Sequence, residues 1–127
     1  MVSDRSLAGL RALVVEDEYF IADDLKRILR SRGADLVILS GSVDDAFRRI
    51  GDGGFEVALL DLNVRGEMTF PVADELVRRS IPFAFVSGYA KSAAPARFAR
   101  VPLWGKPYDE QRLVDELCRF WMPPARA

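Results

Sequence analysis

Val57-Ala-Leu-Leu-Asp-Leu-Asn-Val64 begins as the inside of a buried strand and runs straight into a carboxylate. A carboxylate is costly to bury without a partner, so Asp61 at that place needs a use. Similar apolar runs recur along the chain: "ALVV" (12–15), "LVIL" (36–39), "FAFV" (83–86) and a weaker "VPLW" (101–104). Each is short enough for a strand and nearly continuous in apolar residues, as strands covered on both faces are.

Helical periodicity fills the intervals. Ile21, Leu25, Ile28 and Leu29 recur at i, i+4, i+7 and i+8, with Gly33 as the stop. Val43, Ala46, Phe47 and Ile50 make a second stripe, with Ser42 as its N-cap and Gly51 as its terminator. Thr69-Phe-Pro-Val opens a third helix, carried by Val72, Ala73, Leu76 and Val77. Asp109 caps the last, whose stripe is Leu113, Val114, Leu117 and Trp121. Strands alternating with helices imply βαβ units and a parallel sheet with helices on both faces. The segment 89–102 departs from the pattern. Pro95 and a weak apolar stripe predict a loop or a single turn there, mobile until something orders it.

Composition narrows the functional classes. The 127 residues are 50% apolar and 29% charged with a formal charge of −1, so no basic footprint points to nucleic acid or an anionic membrane. No apolar run approaches the roughly 18 residues of a membrane span, and the first residues lack a signal-peptide core. One cysteine, Cys118, fits a reducing cytoplasm. The absence of histidine excludes a Ser-His-Asp triad, a His-ligated zinc and a phosphohistidine donor within the chain.

Ligands of an open parallel α/β sheet bind outside the C-terminal strand ends. Those ends carry Glu16-Asp17-Glu18, Asp61, Ser87 and Lys106-Pro107, and a flavodoxin-like order 2-1-3-4-5 would gather them in one pocket. Acids so placed repel one another and suit a hard divalent cation, Mg²⁺ first. The Asp61 carboxylate is then placed to attack a phosphoryl phosphorus. The Lys106 ammonium and the Ser87 hydroxyl, beside the metal, are placed to neutralise the equatorial oxygens. Gly88 gives the backbone freedom for Ser87 to move and to draw Tyr89 along as a switch.

With these residues in place, the chain resembles a response-regulator receiver domain (CheY-like) over residues 10–121, with 1–9 and 122–127 as tails and no output domain. The resemblance implies a five-stranded parallel sheet in the order 2-1-3-4-5, with the fourth helix here short or irregular. It also implies that Asp17, Asp61 and the backbone carbonyl of Asn63 bind Mg²⁺, with Mn²⁺ as a substitute, and that Glu16 acts through a metal-bound water. Lys106-Pro107 matches a peptide bond that is cis in the family. More narrowly, "LLDLNVRGEMTFPVADEL" and Phe85-Val86-Ser87-Gly88-Tyr89 resemble the FAT-GUY subgroup, single-domain receivers often associated with HWE or HisKA_2 sensor kinases. The family's aromatic three residues before the lysine is replaced by Leu103, with Trp104 on the oppositely facing position.

The implied activity is that of a phosphoacceptor rather than an enzyme: Asp61 receives the phosphoryl group of a histidine kinase or histidine phosphotransfer protein and later loses it by self-catalysed hydrolysis. The expected setting is cytoplasmic, as a monomer or weak dimer, with output through protein contacts and none to nucleic acid or membrane. Tyr19, Phe20 and Ala22 form the expected docking edge. Two other readings use the same residues. One is a phosphorylation-independent docking module. The other is an aspartyl-nucleophile phosphatase of the haloacid-dehalogenase type, in which Asn63 stands where the general acid belongs.

Overall fold

The computed structural model describes residues 6–88, 94–105 and 109–121. Within them β1 (Arg11–Val15), α1 (Tyr19–Ser31), β2 (Leu36–Ser40), α2 (Val43–Asp52) and β3 (Val57–Asp61) alternate as expected. A small hairpin follows, β4 (Asn63–Val64) with β5 (Glu67–Met68), and then α3 (Phe70–Arg78). β6 (Phe83–Ser87), a 3₁₀ turn (Ala96–Phe98), β7 (Leu103–Gly105) and α4 (Glu110–Phe120) complete the order.

The main sheet runs β2-β1-β3-β6-β7 with every neighbour parallel. Leaving the hairpin strands out of the count, this is the expected order 2-1-3-4-5. Successive strand residues face opposite sides. Ala12, Val14, Leu59 and Val86 meet α1 and α4 through Leu25, Leu29, Val114 and Leu117. Leu13, Val15, Leu60 and Phe85 meet α2 and α3 through Ala46, Ile50, Val72 and Leu76.

Local signals explain most boundaries. The Ser42 hydroxyl accepts the Asp45 amide at 3.1 Å, and the Asp109 carboxylate accepts the Arg112 amide at 3.2 Å, as N-caps do. The expected stop of α2 at Gly51 is corrected by two residues. The helix runs on to Asp52, and Gly53, at φ 72°, takes the left-handed turn that residues with a Cβ disfavour. In α1 the inward stripe is Ala22, Leu25, Ile28 and Leu29, with Ile21 only half-buried. Ala22 is therefore core rather than docking surface. Val77 sits at the edge of the α3 stripe and is exposed.

The segment expected to be loose until ordered is anchored in its described half, 94–102. Phe98, 3% exposed, packs with Phe70, Phe83 and Phe85. Arg97 lies over the Phe98 ring and forms a two-armed pair with Asp74 of α3, both contacts at 2.9 Å. One ring buried in a cluster of four holds a turn otherwise rich in small residues. In β7, Leu103 packs on the α2/α3 side, while Trp104 faces α1 and α4 and its indole N–H donates to Glu116 at 2.6 Å. Trp121 lies in the same layer as Trp104. Among the described residues, no helix is long and apolar enough to cross a membrane.

Candidate functional site

The C-terminal edge of the sheet collects the acids. β1 ends at Val15, and Glu16 follows with its amide donating to the Ser40 carbonyl at 2.9 Å, which carries the strand pairing one residue further. Glu16 is 4% exposed, and its carboxylate accepts the Glu18 amide at 3.1 Å, closing the turn into α1. Asp61 ends β3 directly alongside β1. One carboxylate oxygen each from Glu16, Asp17 and Asp61 lies within 4.8 Å of the others.

This donor set fits a hard divalent cation. All the atoms are carboxylate oxygens, and a cation with waters completing its shell relieves the mutual repulsion that the cluster otherwise carries. Asp61 is half-buried. Ser87 ends β6, one residue beyond the Val86 that pairs with Asp61, and is buried. Its partner in β7 is Gly105, the residue before Lys106. Lys106, Pro107 and Tyr89 lie outside the described residues, and with them the expected cis bond and the expected aromatic switch.

The hairpin is the part that sequence patterning does not show. Arg65 and Gly66, at φ 53° and 82°, form its two-residue turn, the left-handed pair that suits the twist of tight hairpins. The Arg65 amide donates to Asp17 Oδ2 at 2.8 Å, leaving the other oxygen of that carboxylate for a ligand. Its Nε donates to the Gly41 carbonyl at 2.9 Å, so the loops after β1, β2 and β3 are joined at one residue. The Asn63 side chain accepts the Gly66 amide at 3.0 Å. Because Leu62 and Thr69 are hydrogen-bonded across the hairpin at 2.9 Å, the next pair, Asn63 with Met68, is of the non-bonded kind. The Asn63 carbonyl accordingly turns away from β5.

The hydroxyl of Thr69 donates to the Asp61 carbonyl at 2.6 Å. Neither Arg65 nor Thr69 stands out in sequence. "RGE" is a weak turn signal, and Thr before Phe-Pro reads as an ordinary helix opener.

No protein-family model matches the chain. The sensory transduction protein LytT of Bacillus cereus is 28% identical over 115 residues, 87% of this chain and 47% of that protein. The chain thus spans about half the length of the curated relatives it matches. SdrG from Sphingomonas melonis Fr1 is 32% identical with a TM-score of 0.72, over 92% of this chain and 97% of that one. The receiver domain of the response regulator PhyR from Erythrobacter litoralis gives a TM-score of 0.76 at 18% identity, over 95% and 98% of the two chains. The response regulator TrrA from Thermotoga maritima, in complex with Mg²⁺ and BeF, gives 0.76 at 19% identity, over 88% and 99%. The last two establish the fold alone. The chain belongs to the response-regulator receiver (CheY-like) family.

Proposed function

We propose that the chain takes a phosphoryl group from a phosphohistidine onto Asp61 and signals the change through protein contacts. The observation that carries this reading is the convergence of Glu16, Asp17 and Asp61 at the sheet edge where the hydroxyl residue Ser87 also ends its strand. An Asp61 oxygen forms the bond to phosphorus, the bond from phosphorus to the donor imidazole nitrogen breaks, and the product is an acyl phosphate. Asp17, Asp61 and the Asn63 carbonyl would hold Mg²⁺, with Glu16 acting through water and Mn²⁺ as a substitute. When bound, the cation neutralises the acid cluster and one phosphoryl oxygen. Ser87 donates its hydroxyl to a second oxygen, and Lys106 offers an ammonium to the third.

SdrG, 33% identical, has a structure in a BeF₃-activated conformation, which supports a phosphoryl-dependent state for a chain of this kind. On this reading residues 10–121 are the receiver. It works in the cytoplasm as a FAT-GUY receiver, a monomer or weak dimer, and its donor is a kinase of the HWE or HisKA_2 type or a histidine phosphotransfer protein.

Incubation with acetyl phosphate and Mg²⁺ tests the acceptor chemistry. The expected result is an acid-stable, base-labile adduct on the intact protein that chelator prevents. Steady release of phosphate without an adduct would favour a phosphatase, and no reaction a docking module.

With Ala22 buried, the docking edge on this reading is reduced to Tyr19 and Phe20. Tyr19 and Phe20 are 68% and 85% exposed, stack edge to face at 5.7 Å, and follow the acid cluster directly. Two exposed rings that follow the acids in sequence suit the apolar flank of a histidine-bearing helix pair. The double variant Tyr19→Ala, Phe20→Ala is expected to slow kinase-driven transfer roughly tenfold, as loss of an interface anchor does, with acetyl phosphate labelling unchanged. Unchanged kinase-driven transfer would place the dock elsewhere.

A further inference from the structure

Thr69 stands at the joint between the hairpin and α3 and is 0% exposed. Its hydroxyl donates to the Asp61 carbonyl at 2.6 Å, with the Leu62 carbonyl a longer contact at 3.3 Å. Its amide donates to the Leu62 carbonyl at 2.9 Å, and its own carbonyl accepts the Ala73 amide at 2.9 Å. A threonine before a helix ordinarily turns its hydroxyl onto the helix's own first amides. Thr69 occupies that position and makes no such bond. The hydroxyl is directed at the backbone of the acceptor instead.

The consequence follows from where the β3 ladder ends. Asp61 is the last residue of β3 paired with β6, at Val86, and beyond that pair the chain leaves the ladder for the hairpin and needs a further restraint. Thr69 supplies the restraint. By fixing the carbonyls of Asp61 and Leu62 it limits rotation about both residues. That limits the direction in which the Asp61 carboxylate leaves the strand and the place of the Asn63 carbonyl. Phosphoryl transfer depends on such placement, since an in-line approach tolerates little displacement. An alanine or valine at this position would also leave the carbonyl short of a donor in a place water reaches poorly.

We propose that Thr69 is a positioning residue for phosphoryl transfer to Asp61, acting through the acceptor's own backbone. This rests on the reading of Asp61 as acceptor. Thr69→Val keeps the branched shape and removes the donor, whereas Thr69→Ser keeps the donor and removes a methyl. With acetyl phosphate and Mg²⁺ both saturating, Thr69→Val is expected to label roughly tenfold more slowly than wild type, and Thr69→Ser within about twofold of it.

A purely structural residue would shift the unfolding midpoint of both variants without separating their labelling rates. Labelling of Thr69→Val at the wild-type rate overturns the proposal, whatever its stability. Labelling of Thr69→Ser as slow as that of Thr69→Val overturns it too, because the methyl would then be what matters. If near-ultraviolet circular dichroism shows that Thr69→Val does not fold, Thr69→Ala takes its place with the same expected loss. A wild-type chain that is never labelled removes the acceptor reading and this proposal together. A labelled wild type with a full-rate Thr69→Val removes only the latter.

Discussion

Asp61→Asn is expected to lose phosphoryl labelling altogether, by acetyl phosphate and by a kinase alike. An amide oxygen is too weak a nucleophile to form the acyl phosphate. The neighbouring acids are poorly placed to substitute for it. Glu16 is buried and accepts the Glu18 amide, and Asp17 is held by the Arg65 amide. Intact-mass measurement after incubation with Mg²⁺ and acetyl phosphate reads the result directly. A normal adduct on the variant would move the acceptor to one of those two residues and overturn the assignment. The backbone bond from Thr69 reaches the carbonyl of residue 61, not its side chain, so the exchange leaves that restraint in place.

Phe98→Ala carries the largest expected loss of stability. The ring is buried against Phe70 at 5.8 Å, Phe85 at 5.5 Å and Phe83 at 6.1 Å between centroids. Removing a buried phenyl group from such a cluster costs about 3–5 kcal/mol, the sum of lost transfer energy and the cavity left behind. Urea unfolding should show the midpoint fall with the slope unchanged. Amide exchange across 94–102 should also accelerate more than in α1, since the turn loses its one deep anchor. An unchanged midpoint would show that the Ala96–Phe98 turn is not held by this ring.

The parts legible in sequence are those in which side chains make their own pattern. Continuous apolar runs marked each strand of the main sheet, and Ser42 and Asp109 announced the helices that they cap. The convergence of Glu16, Asp17 and Asp61 was equally legible, because a parallel sheet brings the C-terminal ends of its strands to one edge. The hairpin at 63–68 was not. Two-residue strands are too short to show a period of two, and Arg is an unfavoured residue for a left-handed turn. Phe98 was hidden for a different reason. A single ring among alanines and arginines makes no stripe, and only the fold reveals the three phenylalanines waiting for it. Arg65 and Thr69 were missed because their partners are backbone groups as well as side chains, and a carbonyl or an amide leaves no mark in the sequence.

The placement of the two indoles gives the molecule a one-sided optical signal. The chain has two tryptophans, Trp104 and Trp121, and both are buried in the layer formed by α1 and α4. The opposite layer is lined by phenylalanines, which emit negligibly when indole is excited selectively. Intrinsic emission therefore reports on one face of the sheet and is nearly blind to the other. Trp104 also stands two residues before Lys106 and is hydrogen-bonded to Glu116 of α4. A spectral shift on adding a phosphoryl mimic would locate the response at the end of β7 and α4, whereas a response confined to α2, α3 and the phenylalanine cluster would leave the emission unchanged.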